Sequence, residues 1–278
     1  MPARPTIEKD VLSTDYLEHL RKLFCAEIKY IYADYYKSQM TFERFIINKM
    51  VPDSHDMFLL QFRIMSLIEF GKLINMRLLK IVYDRVGPMC VSNMFFVRFA
   101  DPRATSDGAR RKIENITFSP LHYDNYGGTD HVSAWIPLCE IDEGTGGFCW
   151  ATTEQLIQAH GGTIGPAEYH RDDSPYSGSY LEGLASGIET VNCSCGDVVV
   201  FDRTLLHGST YALEKPRFSV DIRFMSTKSV EKSLSDGVLP KDLSFCHLFE
   251  MDAFFRKNTI LKLQGVNDLA FLRRNGFL

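Results

Sequence analysis

The sequence predicts a mainly β chain set between helical ends. Three observations predict it. Apolar residues recur at helical spacing through roughly the first ninety residues. From Met94 onward, short bulky or β-branched runs separated by Gly- and Pro-containing turns replace that period. Beyond about residue 228 the helical pattern returns. The chain has 278 residues and 45% hydrophobic content, ample for one large core. The expected organisation is a single domain over 1–278. Residues 1–90 form a helical support, 91–226 the β core with a lid-like insertion at 152–189, and 227–278 C-terminal helices.

The elements follow in order. From about 7 to 50 the pattern is mostly helical. Leu17, Leu20, Phe24, Ile28 and Ile31 fall on one face, and Ser13-Thr14-Asp15 offers a cap. Val51-Pro52-Asp53-Ser54 is a turn and a second cap. A helical pattern then runs from 55 to 85, with Gly71 marking a break and Gly87-Pro88 ending it. Met94–Phe99 is the first expected strand, with Arg98 its single charge. Residues 101–112 form a polar loop carrying Arg103, Arg110, Arg111 and Lys112. Val132–Leu138, Phe148–Trp150 and Val198–Phe201 are further strands, the last entered through a turn at Gly196-Asp197. Arg217–Phe224 alternates polar and apolar residues, as a strand with one face inward does.

Composition excludes several classes. The net charge is −4, without the basic footprint of a nucleic-acid binder. No apolar run reaches the about eighteen residues that a membrane-spanning helix needs. Glu8, Asp10, Asp15 and Glu18 near the start are unlike a targeting peptide. Seven cysteines, odd in number and without framework spacing, predict reduced thiols and a cytoplasmic protein.

The chemistry-bearing stretch is His122-Tyr123-Asp124. On an extended chain, residues i and i+2 point the same way, so His122 and Asp124 can reach one metal ion. His207, roughly eighty residues later, supplies a second histidine from another strand. Two histidines and one carboxylate are the set that holds non-haem Fe(II) and leaves coordination positions open. Zinc on Cys139, Cys149, Cys193 and Cys195 is less favoured, because only one close pair exists among them.

The order of motifs extends the reading. His122-x-Asp124 is followed by Trp135-Ile136-Pro137-Leu138, a Gly-rich turn, Gly196-Asp197, His207-Gly208-Ser209 and Arg217. This resembles the Fe(II)/2-oxoglutarate-dependent dioxygenases, and within them the phytanoyl-CoA hydroxylase-like branch, over about residues 93 to 226. The resemblance implies a double-stranded β-helix, a jelly-roll of two facing sheets. It implies that His122, Asp124 and His207 bind iron. Arg217 would pair with the distal carboxylate of 2-oxoglutarate, Ser209 would add a hydrogen bond to it, and Trp135 would stand beside this cosubstrate. A guanidinium offers two parallel N–H bonds to a carboxylate, which suits Arg217 to that task. With O2, the implied reaction is oxidation of a substrate C–H bond coupled to decarboxylation of 2-oxoglutarate to succinate and CO2. Related halogenases lack the carboxylate, so Asp124 favours hydroxylation over halogenation.

The expected substrate is a small molecule. Arg98 and Arg103 favour an anionic one, while the many Tyr and Phe residues suit a hydrophobic natural product equally. Tyr126 and His131 are further candidates for contact with it. No nucleic-acid or membrane partner is expected, and the terminal helices leave homo-oligomer formation open. Desaturation, epimerisation and ring chemistry use the same ligands. Two rivals stay open: a β-helix binding or scaffold protein without turnover, and an iron enzyme that does not use 2-oxoglutarate.

Overall fold

In chain order the elements are β1 (Thr6–Glu8), α1 (Thr14–Ile31), α2 (Met76–Val86), β2 (Met89–Ser92), β3 (Phe96–Ala100), β4 (His131–Pro137) and β5 (Phe148–Ala151). There follow β6 (Glu189–Thr190), β7 (Val198–Asp202), β8 (Leu206–Ser209), β9 (Arg217–Ser226), α3 (Thr227–Ser235), β10 (His247–Glu250) and β11 (Leu263–Gly265). This computed structural model describes residues 4–31, 64, 71–92, 96–100, 124, 130–142, 144–152, 188–210, 214–215, 217–236, 247–250 and 263–265. His122, Tyr126, Arg103, the basic loop and most of the 152–189 insertion lie outside them.

Among the described residues the fold is two antiparallel sheets. The larger runs β1-β7-β4-β9-β2-β10-β11, with β3 also paired to β9, and the smaller runs β6-β5-β8. Strand β9 is the spine. It pairs with β4 along one side, Ser133 facing Arg223 and Trp135 facing Asp221. Along its other side it pairs with β2 and then β3.

The alternation of β9 has more content than one face in and one face out, since Arg217 to Met225 are all buried. Its even positions, Phe218, Val220, Ile222 and Phe224, join Val132, Ala134 and Ile136 of β4 and Val198 and Val200 of β7 in one apolar core. That core also takes in Leu17, Leu20 and Phe24 of α1 and Leu78, Leu79 and Val82 of α2, so helices cover this face. The odd positions carry Arg217, Ser219, Asp221 and Arg223, all buried as well. On that side, Trp135, Val199 and Phe201 of the larger sheet cluster with Phe148 and Trp150 of the smaller one. The two sheets therefore face each other across a polar stripe and an aromatic patch.

Local signals set the helix ends. Ser13 Oγ accepts the Tyr16 amide at the start of α1 (3.2 Å). The Asn75 side chain accepts the Leu78 amide (2.9 Å), so α2 begins after the expected break at Gly71. Gly87 closes α2 at φ +69°, its N–H bonding to Tyr83 O.

Three expectations need correction. Residues 6–8 are a strand paired to β7, where a helix was expected to begin at about 7. Strand β2 precedes the first expected strand. After α3, the described residues of the C-terminal segment are strands β10 and β11, where helices were expected. The cause is common to all three: each strand is three or four residues long, too short to show a period, and forms because another strand's edge is there to accept it, a distant one for β1, β2 and β10.

The β1 end is held by Asp197. Its carboxylate accepts from Lys9 Nζ (2.7 Å), the Asp10 amide (3.1 Å) and the Ser194 amide (2.8 Å). Gly196 makes the close approach possible. It sits at φ +102°, and a Cβ there would lie 2.7 Å from the Leu12 carbonyl oxygen.

Candidate metal and cosubstrate site

A cleft of about 400 Å³, counting space open to solvent, lies on the polar-stripe side of the larger sheet. Asp124, Ser133, Trp135, Phe201 and His207 line it together with Ser209, Arg217, Asp221 and Arg223. Asp124 and His207, two expected metal ligands, meet here with His207 Nε2 3.9 Å from Asp124 Oδ2. The third, His122, is not among the described residues.

His207 is prepared as a ligand. Its Nδ1 stands 3.0 Å from the Leu205 carbonyl oxygen. A carbonyl only accepts, so Nδ1 is the donor in that contact, and Nε2, on the other side of the ring, is left to face Asp124. The ring is clamped by aromatics: it stacks on Phe148 and leans on Phe201, with centroids 4.4 Å apart in the second contact. Metal–nitrogen and metal–oxygen bonds run about 2.0–2.2 Å, so a separation of 3.9 Å admits one ion between Nε2 and Oδ2. The donor chemistry fits a divalent iron ion.

Asp124 is 7% exposed and lies outside any strand. Its neighbours orient it. Ser133 Oγ donates to Oδ2 at 3.2 Å, and Arg223 places Nε 3.4 Å from Oδ2 and Nη2 3.4 Å from Oδ1. His131 is buried too, with Nε2 3.9 Å from Oδ2. It stands beside Asp124 and is not one of the side chains lining the cleft.

The expected cosubstrate residues share the cleft. Ser209 follows His207 by two positions on β8, on the same face. Arg217 begins β9 and is 2% exposed. Its Nη1 donates to Thr210 O (2.8 Å) and Thr145 O (3.4 Å). The Thr145 carbonyl is itself positioned by a tight turn, in which the Asp142 amide donates to Thr145 Oγ1 (2.8 Å) and the Thr145 amide to Asp142 Oδ1 (2.9 Å). Two neutral carbonyls orient the guanidinium and add no negative charge of their own, which suits it to receive an anion. Trp135 lines the cleft beside Phe148, their centroids 5.9 Å apart. Arg98 stands in register with Ser219 of β9, a polar-stripe position.

Sequence reasoning missed Ser133, Phe148, Phe201, Asp221 and Arg223 as cleft residues. For Asp221 and Arg223 the signal was present: they continue the i+2 series that starts at Arg217, in a strand otherwise apolar.

Among the described residues, no group of three or more His, Cys, Asp or Glu side chains is arranged to hold a metal ion. The cysteine set weighed for zinc is thus not such a group. Burial pushes the thiols of Cys149 and Cys193 up to about 12.

The sequence matches no family model and no curated protein. Solved structures do resemble it. One is the non-heme alpha ketoglutarate dependent carbocyclase SnoK from nogalamycin biosynthesis, with TM-score 0.50 and 12% identity, covering 81% of this chain and 81% of that one. The fold shared with that structure is a β-rich jelly-roll. The epimerase SnoN from the same biosynthesis aligns with TM-score 0.47 and 14% identity, over 81% of this chain and 79% of that one. EvdMO1 aligns with TM-score 0.49 and 16% identity over 81% of this chain, which spans 48% of the length of EvdMO1. Among the described residues no helix is long and apolar enough to cross a membrane.

Proposed function

We propose that this chain is a non-haem Fe(II)- and 2-oxoglutarate-dependent oxygenase of the phytanoyl-CoA hydroxylase-like branch, acting on a small molecule as a single domain over 1–278. The observation that carries the reading is the meeting of Asp124 and Nε2 of His207 in one cleft with Ser209 and the buried guanidinium of Arg217. The likeness of the fold to a carbocyclase structure supports the same class.

In this reading His122, Asp124 and His207 hold the iron. Iron, 2-oxoglutarate and O2, when bound, would supply the oxidising chemistry that functionalises a C–H bond of the substrate and releases succinate and CO2. The protein's part is placement. Arg217 and Ser209 take the distal carboxylate of 2-oxoglutarate, and Trp135, Phe148 and Phe201 keep water from the cleft around it. Hydroxylation is the reaction proposed. A similar structure is that of a carbocyclase, and in this reading ring chemistry would need the same ligands with another pose of the bound substrate. Arg98 and Arg103 are proposed to meet a negative group on the substrate, Tyr126 to contact the substrate, and residues 152–189 to act as the lid. The register of Arg98 with Ser219 supports this assignment.

The test is anaerobic. Fe(II) and then 2-oxoglutarate are added to the protein, and the visible spectrum is recorded. A weak charge-transfer band that needs both additions and is lost in His207→Ala is the expected result. No band, or a band indifferent to His207, sinks the proposal.

A further inference from the structure

The inference here concerns how Asp124 is held, and it rests on the reading of Asp124 as a metal ligand. We propose that Arg223, together with Ser133, is the positioning device for that carboxylate: the two side chains fix the plane and direction in which Asp124 meets the metal.

Asp124 does not belong to a strand, so no ladder of backbone hydrogen bonds sets its side chain. What sets it comes from the larger sheet. Arg223 on β9 and Ser133 on β4 are register partners, directly opposite each other, and both reach the same carboxylate. The guanidinium meets it as a fork, Nε to Oδ2 and Nη2 to Oδ1, both 3.4 Å. A planar fork on a planar carboxylate fixes tilt and rotation together, which a single point charge does not do. Ser133 adds a third bond, to Oδ2 at 3.2 Å. All three side chains are buried: Ser133 is 1% exposed, Arg223 6% and Asp124 7%. Water is a poor substitute for these partners here, so the protein alone determines where the carboxylate points.

The arrangement also accounts for a charge inside an apolar strand. Arg223 lies between Ile222 and Phe224, both fully buried. A buried guanidinium is costly unless it is paired with good geometry. One carboxylate it pairs with is the one that the proposed chemistry depends on. Groups that orient a metal ligand in this way commonly change metal affinity by about 10–100-fold when they are removed.

The experiment measures metal binding without turnover. Co(II) is titrated anaerobically into wild type, Arg223→Lys, Ser133→Ala and His207→Ala, by calorimetry and by the visible spectrum of the bound ion. Circular dichroism confirms the fold of each. Arg223→Lys keeps the charge and loses the fork. It is expected to bind Co(II) about 10–100-fold more weakly and to alter the shape of the Co(II) spectrum, with the fold intact. Ser133→Ala is expected to weaken binding on the order of tenfold, and it keeps the test open should Arg223→Lys not fold. If either folded variant lowers the melting temperature while affinity and spectrum stay as in wild type, the ion pair is structural only and the inference is overturned. If wild type takes up no Co(II), or His207→Ala takes up as much as wild type, the metal reading fails and this inference with it. The two failures are thus distinguishable.

Discussion

The imidazole of His207 lies nearly flat against Phe148, their planes 9° apart and their centroids separated by 5.6 Å. Phe148 is 2% exposed and sits on β5, the strand that pairs with β8. It therefore has two tasks, filling the space between the sheets and holding the ring of a proposed ligand. Phe148→Leu is expected to cost about 1–3 kcal/mol of stability, between a single methyl loss and full truncation of the side chain. It is also expected to lower Co(II) affinity by about tenfold, because the ring loses its stacked support. Thermal unfolding and Co(II) titration of the same variant measure the two effects. A stability loss without any change in affinity would mean that Leu205 and Phe201 suffice to hold His207.

In the proposed function, Arg217 would separate cosubstrate binding from metal binding. Its bonds run to the carbonyls of Thr210 and Thr145, and not to Asp124 or His207. Arg217→Lys is expected to weaken 2-oxoglutarate binding by about 10–100-fold, since Lys keeps the charge and loses the paired N–H donors. Co(II) affinity in the absence of 2-oxoglutarate should stay as in wild type. Calorimetric titration of each ligand checks the split. Equal loss of both would show that Arg217 serves the metal centre.

The link from β1 to Asp197 gives a pH-dependent prediction. Burial raises the pKa of this carboxyl, but the Lys9 ammonium and the amides of Ser194 and Asp10 outweigh it and hold it below the usual 3.8. A carboxyl whose pKa is depressed in the folded state contributes stability that is fully present above its unfolded pKa. That contribution is lost as the pH falls through the folded value. Asp197→Asn should therefore lower the melting temperature at pH 7 by roughly 2–4 °C, and the gap to wild type should close as the pH falls below about 4. Thermal unfolding at pH 7, 5 and 3 checks this. A gap independent of pH would show that the charge of Asp197 contributes nothing.

How much of this was legible in the sequence follows from what kind of information each feature needs. The strands β4, β7 and β9 announce themselves, because a buried strand needs bulky, β-branched residues along its own length. The ends of α2 are equally local, since Asn75 and Gly87 act within one turn of themselves. His207, Ser209 and Arg217 were found through their order and spacing, and the structure brings them with Asp124 into one cleft.

Other features were decided by the tertiary structure alone. Strands β1, β2 and β10 exist because distant edges accept them, and nothing in three or four residues encodes a partner well over a hundred positions away. The double burial of β9 is of the same kind. Alternation reports two different faces, but only the packing of helices on one and of a second sheet on the other makes both interior. Likewise Asp124 identifies itself by its place after His122, whereas its three bonds to Ser133 and Arg223 depend on a register between β4 and β9. Sequence by itself determined the type, order and spacing of the candidate side chains, because these are properties of the chain. The tertiary structure decided which of them touch and in what orientation, because pairing and burial are properties of segments brought together from far apart.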